Sequence, residues 1–174
     1  MLAHGLDGVS MDAIADSAGA SKATIYRWWP SKHHLALEAL LVTWESITRL
    51  ERETDSLRTD LVGIVRPWVR RVAGRPYARI IAGLIAQSHN DPEFGEVWRE
   101  RFVTIRRERG REAFERAIGR GEIAATTDVE LALDLLFGAL YHRLLHGHAP
   151  LNGRVAEQVV DAVLAGVPGW VASA

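Results

Sequence analysis

The sequence predicts an all-α protein, with a small N-terminal helical head joined by a long helix to a larger helical bundle. Gly and Pro punctuate the chain, and the segments between them carry apolar residues at helical spacing. Nowhere do four or more β-branched or aromatic residues alternate with polar ones, as they would in half-buried strands. The 174 residues, 48% hydrophobic and 25% charged, suit one large domain or a small module joined to a larger one.

Two short helices are predicted at the N-terminal end. The first covers residues 11–17, with Ser10 as the N-cap whose hydroxyl accepts a backbone N–H, and Gly19 ends it. The second covers residues 21–28 and stops before Pro30, which cannot continue a helix. A tight turn therefore joins the two helices.

The rest of the chain is predicted to form six more helices. They cover residues 31–50, 55–72, 76–85, 91–118, 131–145 and 155–164. The Arg- and Glu-rich face of the helix over 91–118 is interpreted as a solvated surface. The helix over 131–145 is apolar almost all round, so more than one of its sides must be covered. The segment GRGEIAATTD between these two helices is predicted to be a loop.

Composition excludes several classes of function. Cysteine is absent, which excludes a disulfide framework, a thiolate zinc site and a cysteine nucleophile, and fits a reducing cytoplasm. There is no signal-peptide pattern and no apolar run near the roughly 18 to 20 residues that span a bilayer, so no membrane partner is expected. The net charge of -1 gives no global sign of a polyanion partner, so a nucleic-acid site would need local positive charge.

The first two helices have the residue pattern of a helix-turn-helix. Ala15 is small where the helices cross, and Gly19 stands where the turn needs a left-handed backbone. We expect Ile14, Ala18 and Ile25 to face inward and hold the pair together. The residues left pointing outward are Ser21, Lys22, Ala23, Thr24, Tyr26 and Arg27. A helix of this size fits the major groove, where its N-terminal residues would reach base edges.

Local charge supports a nucleic-acid role for this motif. Residues 21–34 contain Lys22, Arg27 and Lys32 and no acid. Lys, Thr and Arg side chains can read bases, and Tyr, Trp and Lys can donate to phosphates. The alternative is a helical hairpin whose adjacent Trp28 and Trp29 are simply packed. DNA binding is favoured by three features together: the spacing of the small residues, the absence of acids from the second helix, and the aromatic and basic residues at its end.

The stretch GVSMDAIADSAGASKATIYRWWPSKHHLALEAL resembles the N-terminal DNA-binding domain of the TetR family of bacterial transcriptional repressors, over residues 5–41. The resemblance implies a three-helix head, a long connecting helix and an all-helical C-terminal domain that binds a small molecule and dimerises. We therefore expect a DNA-binding domain over 1–46 and an effector-binding and dimerisation domain over 47–174. The expected DNA-contacting residues are Ser10, Ser21, Lys22, Ala23, Thr24, Tyr26, Arg27, Trp28 and Lys32, with Ser10 and Lys32 on phosphates.

The head departs from the family pattern in two places. The family has Tyr, any residue, His and Phe where this chain has residues 26–29. We expect Trp29 to take the packing role and Trp28 to lie at the surface, where its indole N–H reaches a phosphate. Pure packing of Trp28 is the alternative. The family also has a full helix before Gly5, where this chain has only MLAHG, so the first helix is expected to be truncated.

The C-terminal half resembles the ligand-binding domains of one broad TetR subgroup, through RGEI and the later DVELALDLLFGALYHRLLHG. A cavity for a small, largely apolar effector needs an apolar lining with a few polar groups. The expected lining is Trp68, Leu84, Gln87, Phe94, Trp98, Phe102, Phe137 and Tyr141, although such aromatic residues are more often core. His142 could add a polar contact.

A homodimer is expected because one recognition helix covers only a few base pairs, and specificity then comes from two half-sites. The helix over 131–145, paired with that over 155–164, could form a four-helix interface across a two-fold axis. The expected interface residues are Leu131, Leu135, Gly138, His142, Leu145, Val159 and Val163. The alternative is that both are ordinary core helices of a monomer.

No catalytic constellation is predicted, so we expect neither an enzyme nor a bound cofactor. His142 and His146 lie four apart on a helix, with His148 close behind, a spacing that two metal-binding imidazoles could use. No acidic ligand cluster lies nearby in sequence, and interface or pocket histidines are the favoured interpretation. Residues 88–91 contain the residue types of a hydrolase triad, but adjacency in sequence is not triad geometry.

The predicted function is a TetR-like, ligand-responsive transcriptional repressor that binds a palindromic double-stranded DNA operator as a dimer. An effector in the C-terminal bundle would stabilise a head spacing that no longer matches consecutive major grooves, with the helix from Ser31 as the lever. The alternative is a helical small-molecule-binding or scaffolding protein whose head does not bind DNA.

Overall fold

In the computed structural model, residues 6, 8–48, 53–73 and 75–168 are described, without the side chains of 44–48, 75 and 76. The helices are α1 Met11–Ala18, α2 Lys22–Trp28, α3 Lys32–Thr48, α4 Leu57–Val72, α5 Arg75–Asn90, α6 Pro92–Trp98, α7 Ile105–Gly119, α8 Val129–His146 and α9 Gly153–Ala165, with a π-helical segment Arg99–Thr104 between α6 and α7. No strand occurs among these residues, and the all-α prediction is confirmed. The predicted truncation of the first helix, residues 1–5, and the predicted helix end at Leu50 lie outside the described residues.

The chain divides into two compact units. The first comprises Met1–Ser46 and Gly74–Val103, and the second comprises Ile47–Ala73 and Thr104–Ala174. The break after Ser46 coincides with the end of the predicted head, but α5 and α6 group with the head in the first unit. The assignment of functions to domains over 1–46 and 47–174 stays a prediction.

The head is built around a small core between α1 and α2. Ser10 accepts a hydrogen bond from Ala13 N at 3.1 Å and caps α1, as predicted. Gly19 closes the helix at φ 62°, a left-handed conformation that Gly adopts without the steric cost of a Cβ. The buried residues are Met11, Ala15 and Ile25, and Ile14, Ala20, Trp29 and Leu35 pack against them. These contacts hold the two helices of the motif together.

The expectation that Ala18 faces inward is wrong. Ala18 is exposed, although it follows the buried Ala15 by three residues. The left-handed turn at Gly19 redirects the chain directly after Ala18, so Ala20 takes the packed position beyond the turn. The core of the head therefore uses Met11 at the start of α1 rather than Ala18 at its end.

Most helix starts after the motif differ from prediction by one or two residues. Ser56, not Asp55, caps α4 and accepts a hydrogen bond from Thr59 N at 3.3 Å. Asp91 caps α6, accepting from Phe94 N at 3.1 Å, with Pro92 at the first helical position as predicted. That backbone hydrogen bond is the main cause that lowers the pKa of Asp91 below its ordinary value.

The predicted helix over 91–118 is continuous but not uniform. Every fourth residue along it is buried: Phe94, Trp98, Phe102, Arg106, Gly110 and Phe114. An α-helix has 3.6 residues per turn, so residues spaced by four are each displaced slightly further around the helix axis than the one before. In a straight α-helix such a row would not stay on one face. The π-helical segment, with its wider i→i+5 turn, falls in the middle of the row and takes up part of that drift.

The second unit has the larger core. Here α4 packs against α7 and α9, and α8 packs against α7 and α9. Gly110 lets α7 approach α8 closely, because a Cβ at this position would overlap the Leu133 side chain. The inner face of α8 is buried through Leu133, Leu136 and Leu140, but its outer face is open in the single chain. More than one side of α8 was predicted to be covered, but a single chain covers only its inner side.

Candidate nucleic-acid interface and candidate ligand site

The outward face of α2 carries the predicted DNA-contacting residues. Ser21, Lys22, Ala23, Thr24, Tyr26, Arg27 and Trp28 are all exposed, whereas Ile25 alone of this segment is buried. Tyr26 is 51% and Trp28 65% exposed, which is unusual for side chains with so much apolar surface. The motif thus presents aromatic and basic groups to solvent from one rigid helix.

Local hydrogen bonds fix the N-terminal end of α2. Ser21 Oγ accepts from Thr24 N at 3.1 Å and lies 2.8 Å from the Thr24 hydroxyl. Lys22 Nζ lies 2.5 Å from Asp12 Oδ2 on α1, and this hydrogen bond raises the pKa of Lys22 above its ordinary value. Both partners are more than half exposed, so solvent and salt screen the pair and a stronger anion can compete for the ammonium.

The two adjacent tryptophans have different environments. Trp29 follows α2 in an extended conformation and packs against the head core, as expected. Trp28 points to solvent, and the Arg27 guanidinium carbon lies 5.5 Å from the centre of its ring. A phosphate contact from the Trp28 indole N–H stays a prediction.

The start of α3 is anchored within the first unit. Lys32, a predicted phosphate contact, is half-buried at the first position of this helix, and Ser10 is exposed at the cap of α1. The rings of His33 and His34 pack on Phe94 of α6, with centroids 5.9 and 5.1 Å away. Arg101 and Glu38 form an ion pair at 2.8 Å in the same unit. The head therefore shares packing contacts with α6.

The predicted ligand-binding residues fall into two groups, one in each unit. Those of the first unit are Leu84, Gln87, Phe94, Trp98 and Phe102, and those of the second are Trp68, Phe137 and Tyr141. The Trp98 and Phe102 rings stack at 4.3 Å, and Gln87 donates to Asp91 at 3.2 Å. In the second unit, the Trp68 and Tyr141 rings lie 5.2 Å apart.

The residue that sequence analysis missed is Arg106. The interpretation of the Arg- and Glu-rich face as solvated does not hold for this residue. Arg106 is buried, with its guanidinium carbon 4.5 Å from the Trp68 ring centre, 5.1 Å from Phe137 and 5.4 Å from Tyr141. Its Nη1 donates a hydrogen bond to the Tyr141 hydroxyl oxygen. Burial lowers the pKa of Arg106 and raises the pKa of Tyr141. The sequence signal that could have predicted this burial is the row of residues spaced by four that begins at Phe94.

The outer face of α8 and the neighbouring face of α9 form an open apolar groove. Leu131 is 54% and Leu135 56% exposed, and Leu145 is also exposed. A cavity of about 480 Å³ is lined by Thr126, Thr127, Asp128, Leu131, Ala132, Leu135, Ala139, Val159, Ala162, Val163, Gly166, Val167 and Pro168. Four predicted interface residues thus lie together, and Gly138 and His142 are exposed on the same helix.

Three histidines at and just after the end of α8 lie close together with their rings tilted against one another. His142 lies 4.6 Å from His146 and 4.8 Å from His148, measured between ring centres. Within the described part of the chain, no group of three or more His, Cys, Asp or Glu side chains is arranged to hold a metal ion. Nor is any helix in that part long and apolar enough to cross a bilayer.

Family comparisons cover nearly the whole chain. Residues 1–39 match the family described as bacterial regulatory proteins, tetR family. Residues 51–163 match the family described as Tetracyclin repressor-like, C-terminal domain. The two matches follow one another in the order of the predicted head and bundle.

Individual proteins are similar over most of their length. The HTH-type transcriptional regulator YdeS of Bacillus subtilis is 32% identical over 96% of this chain and 83% of its own. The DNA-binding transcriptional repressor TetR of Mycobacteroides abscessus is 32% identical over 94% of this chain and 85% of its own. The crystal structure of the TetR family transcription regulator SCO0332 superposes with a TM-score of 0.77 at 32% identity, covering 95% and 91% of the two chains. The flavonoid-responsive regulator FrrA superposes with a TM-score of 0.61 at 25% identity, covering 94% and 87%.

Proposed function

Because this chain belongs to the TetR family of bacterial transcriptional regulators, we propose that it is a dimeric repressor that binds a palindromic operator and is released by a small-molecule effector. Family members bind DNA through the helix-turn-helix, which here is α1 and α2. The proposal assigns operator binding to the head, dimerisation to α8 and α9, and effector binding to the buried aromatic residues. Binding takes place in the cytoplasm, where bacterial DNA is accessible.

The outward face of α2 is the observation that carries the proposal. It exposes Lys22, Thr24, Tyr26 and Arg27 on one short helix, and residues 21–34 contain no acid. Exposed aromatic groups beside cations suit a partner that is flat and negatively charged. In the major groove, Lys22 and Thr24 reach base edges, while Tyr26 and Trp28 donate to phosphates.

The open groove on α8 and α9 supports the dimer. Monomeric proteins rarely expose large contiguous apolar patches, and this groove contains Leu131, Leu135, Val159 and Val163. A second copy presenting the same face would cover it through an isologous four-helix contact. Two heads then read two half-sites, so operator affinity depends on this interface.

The names of two relatives support the regulatory part of the proposal. The Mycobacteroides abscessus relative is called a repressor, and FrrA is called flavonoid-responsive. By this likeness, an effector lowers the affinity of this protein for its operator. Such coupling requires that the effector bind the DNA-free and DNA-bound forms with different affinities.

The rival function is a helical small-molecule-binding protein whose head does not bind DNA. The ion pair between Lys22 and Asp12 favours this rival, because Lys22 is the main cation at the start of α2 and is already paired with a carboxylate. The pair is exposed and weak, however, and a phosphate can compete for the lysine. The two functions differ directly in DNA affinity.

The decisive experiment is a fluorescence anisotropy titration of the protein against DNA flanking its own gene. A scrambled duplex of the same length and composition is the control, and both are measured at several salt concentrations. We expect sequence-selective binding whose logarithm falls linearly with the logarithm of the salt concentration. Equal and weak binding to both duplexes would contradict operator binding next to the gene and would favour the rival function.

A further inference from the structure

A buried cation inside an aromatic enclosure distinguishes the second unit. The Arg106 guanidinium lies against the Trp68, Phe137 and Tyr141 rings, which come from α4 and α8. Arginine stays protonated in proteins, so this site holds a positive charge away from water. Contact with aromatic faces offsets part of the free-energy cost of removing the guanidinium from water, and contact with an anion would offset more of that cost.

Two hydrogen-bond donors belong to the rings that lie against this charge. Nη1 of Arg106 donates to the Tyr141 hydroxyl oxygen, so the phenol hydrogen remains directed elsewhere and can itself be donated. Trp68 is 1% exposed, and among the described residues its indole Nε1 has no hydrogen-bond acceptor. A buried N–H without an acceptor is uncommon in native proteins, and this one is able to donate to an oxygen of a bound ligand.

From this arrangement we propose that Arg106, Tyr141 and Trp68 bind the carboxylate of an effector whose remaining part is apolar. The proposal rests on the proposed function, because it names the chemical class of the effector. A carboxylate only accepts hydrogen bonds, which matches a site that offers guanidinium, phenol and indole donors. The planar guanidinium suits the two oxygens of a carboxylate, and Phe137 provides an apolar wall beside it.

Two rings of this site keep some contact with solvent. Tyr141 is partly exposed, and Phe137 lies at the limit of burial, so the aromatic enclosure is not closed on every side. A neutral alcohol of the same shape could fill the apolar part but would form weaker hydrogen bonds with the cation. Preference for an acid over its matched alcohol is therefore the property to measure.

The experiment uses 1-naphthoate and octanoate as probes, each compared with its neutral partner, 1-naphthalenemethanol and 1-octanol. Isothermal titration calorimetry gives the four affinities for the full chain. We expect each acid to bind about tenfold or more tightly than its alcohol, as a charged hydrogen-bond acceptor implies. In a parallel titration, the acids should also dissociate the complex with operator DNA at lower concentration than the alcohols.

Matched variants test whether Arg106 provides the positive charge that binds the acid. Arg106→Met should abolish the preference for acids and leave alcohol binding within about twofold, because Met replaces the buried chain at similar volume. Arg107→Met is the control, since Arg107 is on the same helix but pairs with Glu130 and Asp134 at the surface. It should keep the preference. If Arg106→Met does not fold, Trp68→Phe removes the indole N–H together with the five-membered ring, and it should weaken acid binding roughly tenfold and alcohol binding by clearly less.

Several outcomes overturn the proposal. These are equal binding of acid and alcohol, no acid binding at all, or the same loss in Arg106→Met and Arg107→Met. Failure of the proposed function gives a different result, in which acids bind through Arg106 but the protein has no affinity for operator DNA. Dissociation of DNA by acids and alcohols alike would keep the regulator and overturn the carboxylate site.

Discussion

The head and the second unit each expose large apolar side chains to a similar degree, yet the two surfaces are built differently. Tyr26 and Trp28 on α2, and Leu131 and Leu135 on α8, are each more than half exposed. On α2 these side chains have Lys22 and Arg27 beside them, whereas on α8 they border an apolar groove. Exposure alone therefore does not identify the partner, and the neighbouring groups do.

The two surfaces should therefore bind their partners through different kinds of interaction. If α2 binds DNA as proposed, we expect that binding to be dominated by charge, to be sensitive to salt and to be steered by the polyanion. If α8 and α9 form the proposed dimer interface, we expect burial of apolar area to dominate, at about 25 cal/mol per Å² removed from water, with little dependence on salt. Substitutions on α2 should therefore leave the dimer unchanged, whereas loss of the dimer should also lower operator affinity, because two heads are needed to read two half-sites.

The largest effect is expected from Leu131→Glu combined with Leu135→Glu. Two carboxylates buried in an apolar interface cost several kcal/mol, so the dimer should weaken at least about a hundredfold and operator affinity should fall with it. Sedimentation velocity measures the change in mass. Val42→Glu is the control, because Val42 is equally exposed on α3 and outside the groove. A double variant that remains dimeric would show that this face is not the interface.

The next largest effect is expected from Lys22→Ala and Tyr26→Ala. Each should lower operator affinity by about ten- to a hundredfold, because a base or phosphate contact is worth about 1–3 kcal/mol. The molecular mass in solution should stay that of the wild type. Arg58→Ala removes a similarly exposed cation from the second unit and should not change DNA binding. Unchanged affinity in the α2 variants would remove these residues from the interface.

A smaller effect is expected from Trp28→Phe. This change keeps an aromatic ring but removes the indole N–H together with the five-membered ring, so operator affinity should fall roughly threefold if that N–H donates to a phosphate. The melting temperature should not change, because Trp28 is largely exposed. A lower melting temperature with unaltered DNA affinity would instead assign Trp28 to packing, like its neighbour Trp29.

The smallest effect is expected from Asp12→Asn. Loss of the carboxylate releases Lys22 from its exposed ion pair, and operator affinity should rise roughly two- to fivefold. Asp16→Asn is the matched control, because it removes the same charge from α1 without breaking a hydrogen bond to Lys22. Equal effects of the two variants would mean that net charge matters and the ion pair does not.

The head was largely predictable from sequence because local signals determine it. Ser10, Ser21 and Gly19 act within one turn of their own positions, and the structure has each in its expected role. Ala18 was predicted to be buried and is exposed, because helical spacing does not reveal where the chain leaves the helix. The error lies at the turn, where periodicity stops applying.

The proposed ligand site was predictable only in part, because burial of Arg106 depends on tertiary packing. Arg107 and Arg111, near it in sequence, pair with Glu130 at the surface, as a solvated face predicts. Composition does not distinguish Arg106 from these neighbours. What distinguishes it is its place in a row of residues spaced by four, and such a row is buried only if the helix departs from 3.6 residues per turn.

The π-helical segment Arg99–Thr104 has a consequence for how relatives can diverge. Each residue of an α-helix advances the side-chain direction by about 100°. A one-residue deletion inside this segment would leave the composition of α6 and α7 intact but turn α7 by about that angle. A different side chain would then occupy the position of Arg106. During evolution, a change of chain length here would therefore alter the proposed carboxylate site without any substitution in α7.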